Sequence, residues 1–283
     1  MPRILLVCLC LLAAIPSARA EAPAQRSPYI LAIHPYLPQE EIQKRFAPLA
    51  KYLGQRIARS VQIRVGRDYQ EHINAVGLDA VDIAFMGPAA YVKMVDKYGH
   101  KPLLARMETL GKPYLSGVIF TRSDSPLRNI GELAGKHFAF GDAESTMGTQ
   151  VPQYVLLKAG VRLSQLGHYG HVISHGNVVL GVLSGDFDAG AIKRDVFDDI
   201  APRGLRMLAE LPQVSEHVFV ARSNLPPAEV KNLREALLQL KTSAEGQKIL
   251  QSIGKESTGM VSVTNTDYDS LRTILNVLRK EKN

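Results

Sequence analysis

Short apolar runs punctuate the chain, and most are followed by stretches whose apolar positions recur every three or four residues. Tyr29–Ile33 predicts a buried strand, and Glu40–Gly54 a helix with Ile42, Phe46, Leu49, Ala50 and Leu53 on one face. The same reading gives strands at Val61–Val65, Val81–Phe85, Leu115–Thr121, His137–Phe140, Val172–Ile173 and Ala189–Ile192. Helices fall between them at Tyr69–Gly77, Ala89–Tyr98 opened by Pro88, Val151–Ala159 closed by Gly160, and Asn177–Leu183. An extended piece, His217–Arg222, leads into helices at Pro227–Lys241, Ala244–Ile253 and Tyr268–Lys280. Alternating strands and helices predict an α/β protein whose sheets are mostly parallel and covered by helices. A length of 283 residues accommodates one large domain or two lobes.

The N-terminus sets the compartment. Arg3, the apolar run Ile4–Ile15 and Ala18-Arg19-Ala20 read as a secretory signal over residues 1–20, cut before Glu21. The run is too short to span a bilayer, which takes about 20 residues. The mature chain is therefore expected in the periplasm and not embedded in a membrane. Both cysteines, Cys8 and Cys10, fall inside the signal, so no disulfide or thiolate metal site is expected in the mature chain. Val7 and Leu9 precede them, not the small residue of a lipoprotein cleavage site.

The formal charge is +7; without Arg3 and Arg19 the mature chain carries 32 basic and 27 acidic residues. Its basic residues are scattered and not interleaved with aromatics, which argues against a nucleic-acid partner.

The candidate chemistry lies in strand-to-helix turns. Four share one design: His34-Pro35-Tyr36, Met86-Gly87-Pro88, Glu144-Ser145-Thr146 and Ser174-His175-Gly176-Asn177. In open α/β sheets ligands bind beyond the carboxyl ends of the strands, where such turns gather. Helix N-termini offer free N–H groups and the positive end of a dipole, so a converging set makes an anion site. Ser145 and Thr146 stand at a helix start as caps or as ligand donors, and Gly148 keeps the first turn bare for a ligand's approach. Tyr36, Tyr91 and His175 add donors without a fixed charge.

Enzyme signatures fail. Gly131–Lys136 resembles a phosphate-binding loop but is one residue short and leads into a strand. His171 and His175 are four apart, yet flanking Gly170 and Gly176 speak against one helix face, so no metal site is expected. No cofactor and no catalytic residue is expected.

Several blocks together resemble one family. They are Ile83–Tyr91 (IAFMGPAAY), Glu144-Ser145-Thr146 with Gly148 and Val151-Pro152, Leu156–Gly160, and Ser174-His175 followed by Val182–Ala191. Their order and spacing resemble the periplasmic phosphonate-binding proteins, the PhnD-like solute-binding components of ABC transporters. The resemblance implies a two-lobed type II periplasmic binding protein fold with a ligand cleft between lobes. Lobe 1 would hold residues 21–116 plus 215–283, with the C-terminal helices, and lobe 2 residues 117–214. Hinge strands would lie near Leu115–Phe120 and Leu211–Glu216.

By the same resemblance Ser145, Thr146 and Gly148 hold the oxyanion, while Tyr36, Tyr91 and His175 face it. Asp195 and Glu216 fall where acidic residues meet a ligand's amino group. They either do so here or form ion pairs with Lys193 or Arg194. The chain departs from the family pattern at Met147, at Gly176-Asn177 and at Gly141-Asp142-Ala143. The implied role is a monomeric receptor that delivers a phosphonate, phosphite or related oxyanion to an ABC permease. Alternatives are a sensing subunit for a membrane histidine kinase and, more remotely, an exported phosphoester hydrolase.

Overall fold

The computed structural model describes residues 27–282. The predicted signal segment, with Cys8 and Cys10, lies outside the described residues.

Three sheets organise the described residues. The first contains β1 (Tyr29–Ile33), β2 (Val61–Val65), β3 (Ile83–Met86), β4 (Leu103–Thr109), β12 (Val218–Ala221) and β13 (Ser257–Val261) in the order β13-β4-β12-β3-β1-β2. The second contains β6 (Gly117–Arg122), β7 (His137–Phe140), β8 (His168–His171), β9 (Ala189–Lys193) and β10 (Leu205–Glu210) in the order β10-β6-β9-β7-β8. Between them β5 (Tyr114–Leu115) and β11 (Val214–Ser215) form a two-stranded antiparallel ribbon, Val214 opposite Leu115 and Ser215 opposite Tyr114. The chain thus passes between the lobes twice, side by side.

Helices α1 (Gln39–Arg56), α2 (Tyr69–Gly77) and α3 (Pro88–Tyr98) follow β1, β2 and β3. In the second lobe α4 (Val151–Lys158), α5 (His175–Ser184) and α6 (Arg194–Ile200) follow β7, β8 and β9. Helices α7 (Pro227–Gln239), α8 (Ala244–Ile253) and α9 (Asp269–Lys282) close the chain.

The sheets are mixed, not mostly parallel. Parallel pairing joins β1 to β2 and β3, and β7 to β8 and β9. Strands entering from or returning to the ribbon run antiparallel: β12 to β3 and β4, and β6 to β9 and β10. Two crossings between lobes force this, because each lobe receives strands that arrive from the other without a covering helix.

Four elements escape apolar-run reading. β13 and β10 are edge strands, which need only one apolar face. β4 is interior, but its run is interrupted by Arg106, which is buried against Ser215 Oγ at 2.9 Å and Asp267 at 3.4 Å. α6 is short and mostly charged. The strand expected at Val172–Ile173 sits earlier, at His168–His171, on a sheet edge where polar residues are tolerated. Ile173 instead lies in the turn before α5 with φ 71°.

The C-terminal helix is shared between lobes. Leu271, Ile274, Leu275 and Leu278 of α9 join one buried cluster with Tyr91 and Met94 of α3 and with Met147, Val151 and Leu156 across the ribbon.

Gly117, the first residue of β6, marks how tightly the ribbon meets the second lobe. A Cβ there would stand 2.8 Å from Ile192 O and 3.1 Å from Met147 Cβ. Overpacking of this kind costs about 1–3 kcal/mol. Gly117→Ala is expected to lower stability by that amount in denaturant unfolding, whereas an unchanged midpoint would show that the ribbon yields freely.

Candidate functional site

The turns at the carboxyl ends of β1, β3, β7, β8 and β9 converge on a cavity of about 580 Å³ between the lobes. The first lobe and ribbon contribute His34, Tyr36, Tyr69, Gly87, Glu216 and His217; the second contributes Ser145, Thr146, Ser174, His175, Lys193 and Asp195.

Three hydroxyls at the cavity have their oxygens engaged by backbone donors. Ser145 Oγ caps its own helix by accepting from Gly148 N–H at 3.1 Å. Ser174 Oγ does the same for α5, accepting from Asn177 N–H at 3.1 Å. Thr146 Oγ1 reaches across the cleft and accepts from Ala89 N–H, at the start of α3, at 3.0 Å. No acceptor for the three hydroxyl hydrogens is present among the described residues, so each remains free to donate. The chain at Thr146–Gln150 forms a wide π-type turn in which both Thr149 and Gln150 N–H point to Ser145 O, at 3.1 and 3.0 Å. Such turns recur at functional sites.

His175 opens α5, and its Nδ1 is sealed from solvent without a hydrogen-bond partner. Burial, then the nearby Lys193 charge, push its pKa down to about 4, so the ring is neutral. His34 is 1% exposed, with Nδ1 3.2 Å from Phe85 O. A carbonyl only accepts, so Nδ1 carries the proton. Burial holds this ring well below its ordinary pKa, aided by His217 and His72. His34 stacks on His217 with ring centroids 5.2 Å apart, and both Nε2 atoms lie beside Gly87.

The charged groups form one cluster. Lys193 ends β9, and its Nζ lies 3.2 Å from Asp195 Oδ2. Asp195 Oδ1 accepts from Val196 N–H at 2.9 Å. Glu216 is 2% exposed, and its Oε1 accepts from both His217 N–H, at 3.0 Å, and His217 Nδ1. Burial alone would drive Lys193 down, but Asp195 and Glu216 outweigh it and raise its pKa to about 12. Burial would likewise raise Glu216; the hydrogen bond and charge of His217, with Lys193, bring it down to about 2. Asp195 is lowered against its burial by Lys193.

Six of the eight candidate residues line the cavity: Tyr36, Ser145, Thr146, His175, Asp195 and Glu216. Two do not. Tyr91 is fully buried one turn inside α3, donates to Asn265 Oδ1 at 2.9 Å and packs 4.6 Å from the Tyr268 ring. It faces the Asn265–Tyr268 turn before α9 because its place on the helix turns it from the cavity-facing tip. At Gly148 a Cβ would stand 3.2 Å from Gly141 Cα and 2.8 Å from Ser145 Oγ. Its bareness serves the close approach of the end of β7, not of a ligand. Arg194 pairs with Asp198 and Glu210, which leaves Lys193 as the partner of Asp195.

The sequence reading missed Tyr69, His34 and His217 as cavity residues. Tyr69 starts α2 after β2, a fifth turn of the shared design, with Asp68 Oδ1 capping Glu71 N–H at 2.7 Å. His34 belonged to a turn already singled out. No local signal marks His217.

Contacts across the cleft hold this arrangement closed. Beyond Thr146 to Ala89, Lys93 of α3 pairs with Glu144, and Lys255 after α8 lies 3.5 Å from Asp199 of α6.

Residues 31–268 match the family model described as ABC transporter, phosphonate, periplasmic substrate-binding protein. The chain belongs to this family. A curated relative, the phosphate-import protein PhnD of Mycolicibacterium smegmatis, is 26% identical over 89% of this chain and 86% of its own length. Among solved structures, PhnD1 from Prochlorococcus marinus in complex with methylphosphonate superposes with a TM-score of 0.80 at 21% identity, covering 89% of this chain and 98% of that one. XAC2383 from Xanthomonas citri bound to ATP gives 0.77 at 22% identity, covering 90% and 98%. These likenesses show the two-lobed type II periplasmic binding protein fold.

The buried histidines make stability acid-sensitive. His72, beneath His34 at 6.1 Å between rings, is 1% exposed with Nε2 unpartnered, and burial lowers its pKa from 6.5 to about 3. Folded-state values below the unfolded one mean that the unfolded chain takes up protons first. The stability present above pH 6.5 is therefore lost as pH falls, towards about 4 for His175 and about 3 for His72. The slope reaches about 1.4 kcal/mol per pH unit for each histidine. His72→Leu is expected to flatten the fall of Tm between pH 6.5 and 4; a parallel profile would mean that His72 titrates normally.

Proposed function

We propose that the chain is an exported receptor that captures a phosphonate, phosphite or phosphate and hands it to an ABC permease. The observation that carries this reading is the donor set around the cavity: three hydroxyls whose oxygens are already engaged, and a neutral histidine with an orphaned Nδ1. An oxyanion supplies several acceptors at once, and the α5 N-terminus adds dipolar stabilisation. His175 Nδ1–H serves as one more donor with the ring still uncharged. The family match and the relatives' names, phosphate import and a methylphosphonate complex, support the same ligand class.

Capture works by lobe closure about the β5–β11 ribbon, with lobe 1 at residues 21–116 and 215–283 and lobe 2 at 117–214. Thr146 contributes twice, by bonding Ala89 across the cleft and by donating to the ligand. A ligand drives closure only by preferring the closed form, so groups that bridge both lobes and ligand set its affinity. Residues 1–20 act as the export signal, and the mature chain works as a monomer by binding without turnover.

Calorimetric titration of the mature protein, refolded to strip carried-over ligand, tests this with phosphate, phosphite, methylphosphonate and sulfate. Micromolar or tighter binding of a phosphorus oxyanion is the expected result, and silence from all three would overturn the reading. Thr146→Val should weaken that binding by about 1–3 kcal/mol, the cost of a lost bond to a charged group. Unchanged affinity in the folded variant would remove Thr146 from the site.

A further inference from the structure

The Lys193 cluster carries an inference about specificity that rests on the oxyanion reading above. Asp195 and Glu216 are two carboxylates at the wall of a ligand cavity. Carboxylates so placed are ready partners for a cationic ligand group. Here they already have partners from the chain itself. Asp195 receives Lys193 Nζ at 3.2 Å on one oxygen and Val196 N–H at 2.9 Å on the other. Glu216 Oε1 receives both donors of His217.

The Lys193 ammonium also stands within Coulombic reach of Glu216, Tyr36, His34 and His175, at the meeting point of both lobes' cavity residues. About a quarter of its side chain and a third of that of Asp195 remain exposed, so the two meet a ligand together. A ligand ammonium directed at Asp195 meets a like charge already bound to one of its oxygens.

We propose that Lys193 is a built-in counter-cation that fixes the tail specificity of the cleft: it occupies Asp195 while His217 occupies Glu216, so oxyanions with uncharged tails bind and those with cationic tails are rejected. This is discrimination by an introduced repulsion, not by a lost contact. The cavity, at about 580 Å³, has room beyond an oxyanion head for such a tail, so exclusion rests on charge and not on volume.

An isosteric pair tests it. n-Propylphosphonate and 2-aminoethylphosphonate differ in one terminal group, methyl against ammonium. Wild-type protein should bind the propyl compound at least tenfold more tightly in calorimetric titration. Lys193→Met should shift that ratio at least tenfold towards the aminoethyl compound, and Lys193→Arg should keep the wild-type preference. Wild-type protein that binds the aminoethyl compound as tightly as the propyl one overturns the proposal, and so does a Lys193→Met ratio that stays put. The wild-type comparison needs no variant, so the test holds even if Lys193→Met does not fold. If the protein binds phosphate or methylphosphonate but shows the wrong tail preference, only the specificity proposal falls. If it binds no phosphorus oxyanion, the receptor reading falls with it.

Discussion

The structure depends on how ionised and polar groups are compensated inside a closed cleft. Burying a charge without a partner costs several kcal/mol. Lys193, Asp195, Glu216 and His217 therefore compensate one another in a chain that crosses from β9 to the start of β12. That crossing is made possible by the β5–β11 ribbon, which sets Glu216 directly after β11 and Gly117 directly after β5 and Ser116. In the proposed receptor, compensated charges leave the remaining work of recognition to neutral donors. Ser145, Thr146, Ser174 and His175 all sit at or beside helix starts, where the same local rule that caps the helix turns a hydroxyl hydrogen outward.

Neutral donors suit a protein that must release what it binds. A fixed buried cation opposite an oxyanion would hold it in the open and closed forms alike, and would not reward closure. Thr146 behaves differently. Its oxygen is engaged by Ala89 N–H across the cleft, so the bond ties the two sides together in this arrangement. Lys93 with Glu144 and Lys255 with Asp199 also span the cleft, but Lys255 and Asp199 are largely exposed, with 82% and 64% of their side chains open to solvent. Exposed pairs contribute little and are screened by salt. The hydroxyl at the cleft floor outranks the ion pair at its mouth.

The legible part of the fold was whatever obeyed periodicity. β1, β2, β7 and β9 and the helices α1, α2, α3, α5 and α8 fall within a few residues of their sequence positions, because their apolar faces alternate or recur on one side. The illegible part was set by pairing at a distance. β10 and β13 take their places at sheet edges with interrupted apolar runs, and β4 hides a buried arginine whose partners, Ser215 and Asp267, are more than a hundred residues away. Sheet polarity was misjudged for the same reason, since nothing local announces that a strand has come from the other lobe.

The site divided along the same line. Strand-to-helix turns announce themselves by Pro, Gly and hydroxyl residues, and they led to Tyr36, Ser145, Thr146 and His175 at the cavity. Tyr91 and Gly148 belong to the same turns but sit one step further along, where the helix rotates a side chain into the core or brings two backbones together. A turn motif thus locates a site without assigning its atoms. Whether Asp195 and Glu216 face a ligand or a lysine is decided by where β9 ends relative to β11, a fact of tertiary geometry. The sequence held both possibilities open; the fold closes Lys193 onto Asp195 and leaves Arg194, one residue on, to the surface pair with Asp198. One residue of register separates a cleft with an unneutralised carboxylate from one that carries its own cation, and that difference in charge, not the shape of the pocket, discriminates among ligands with the same head group.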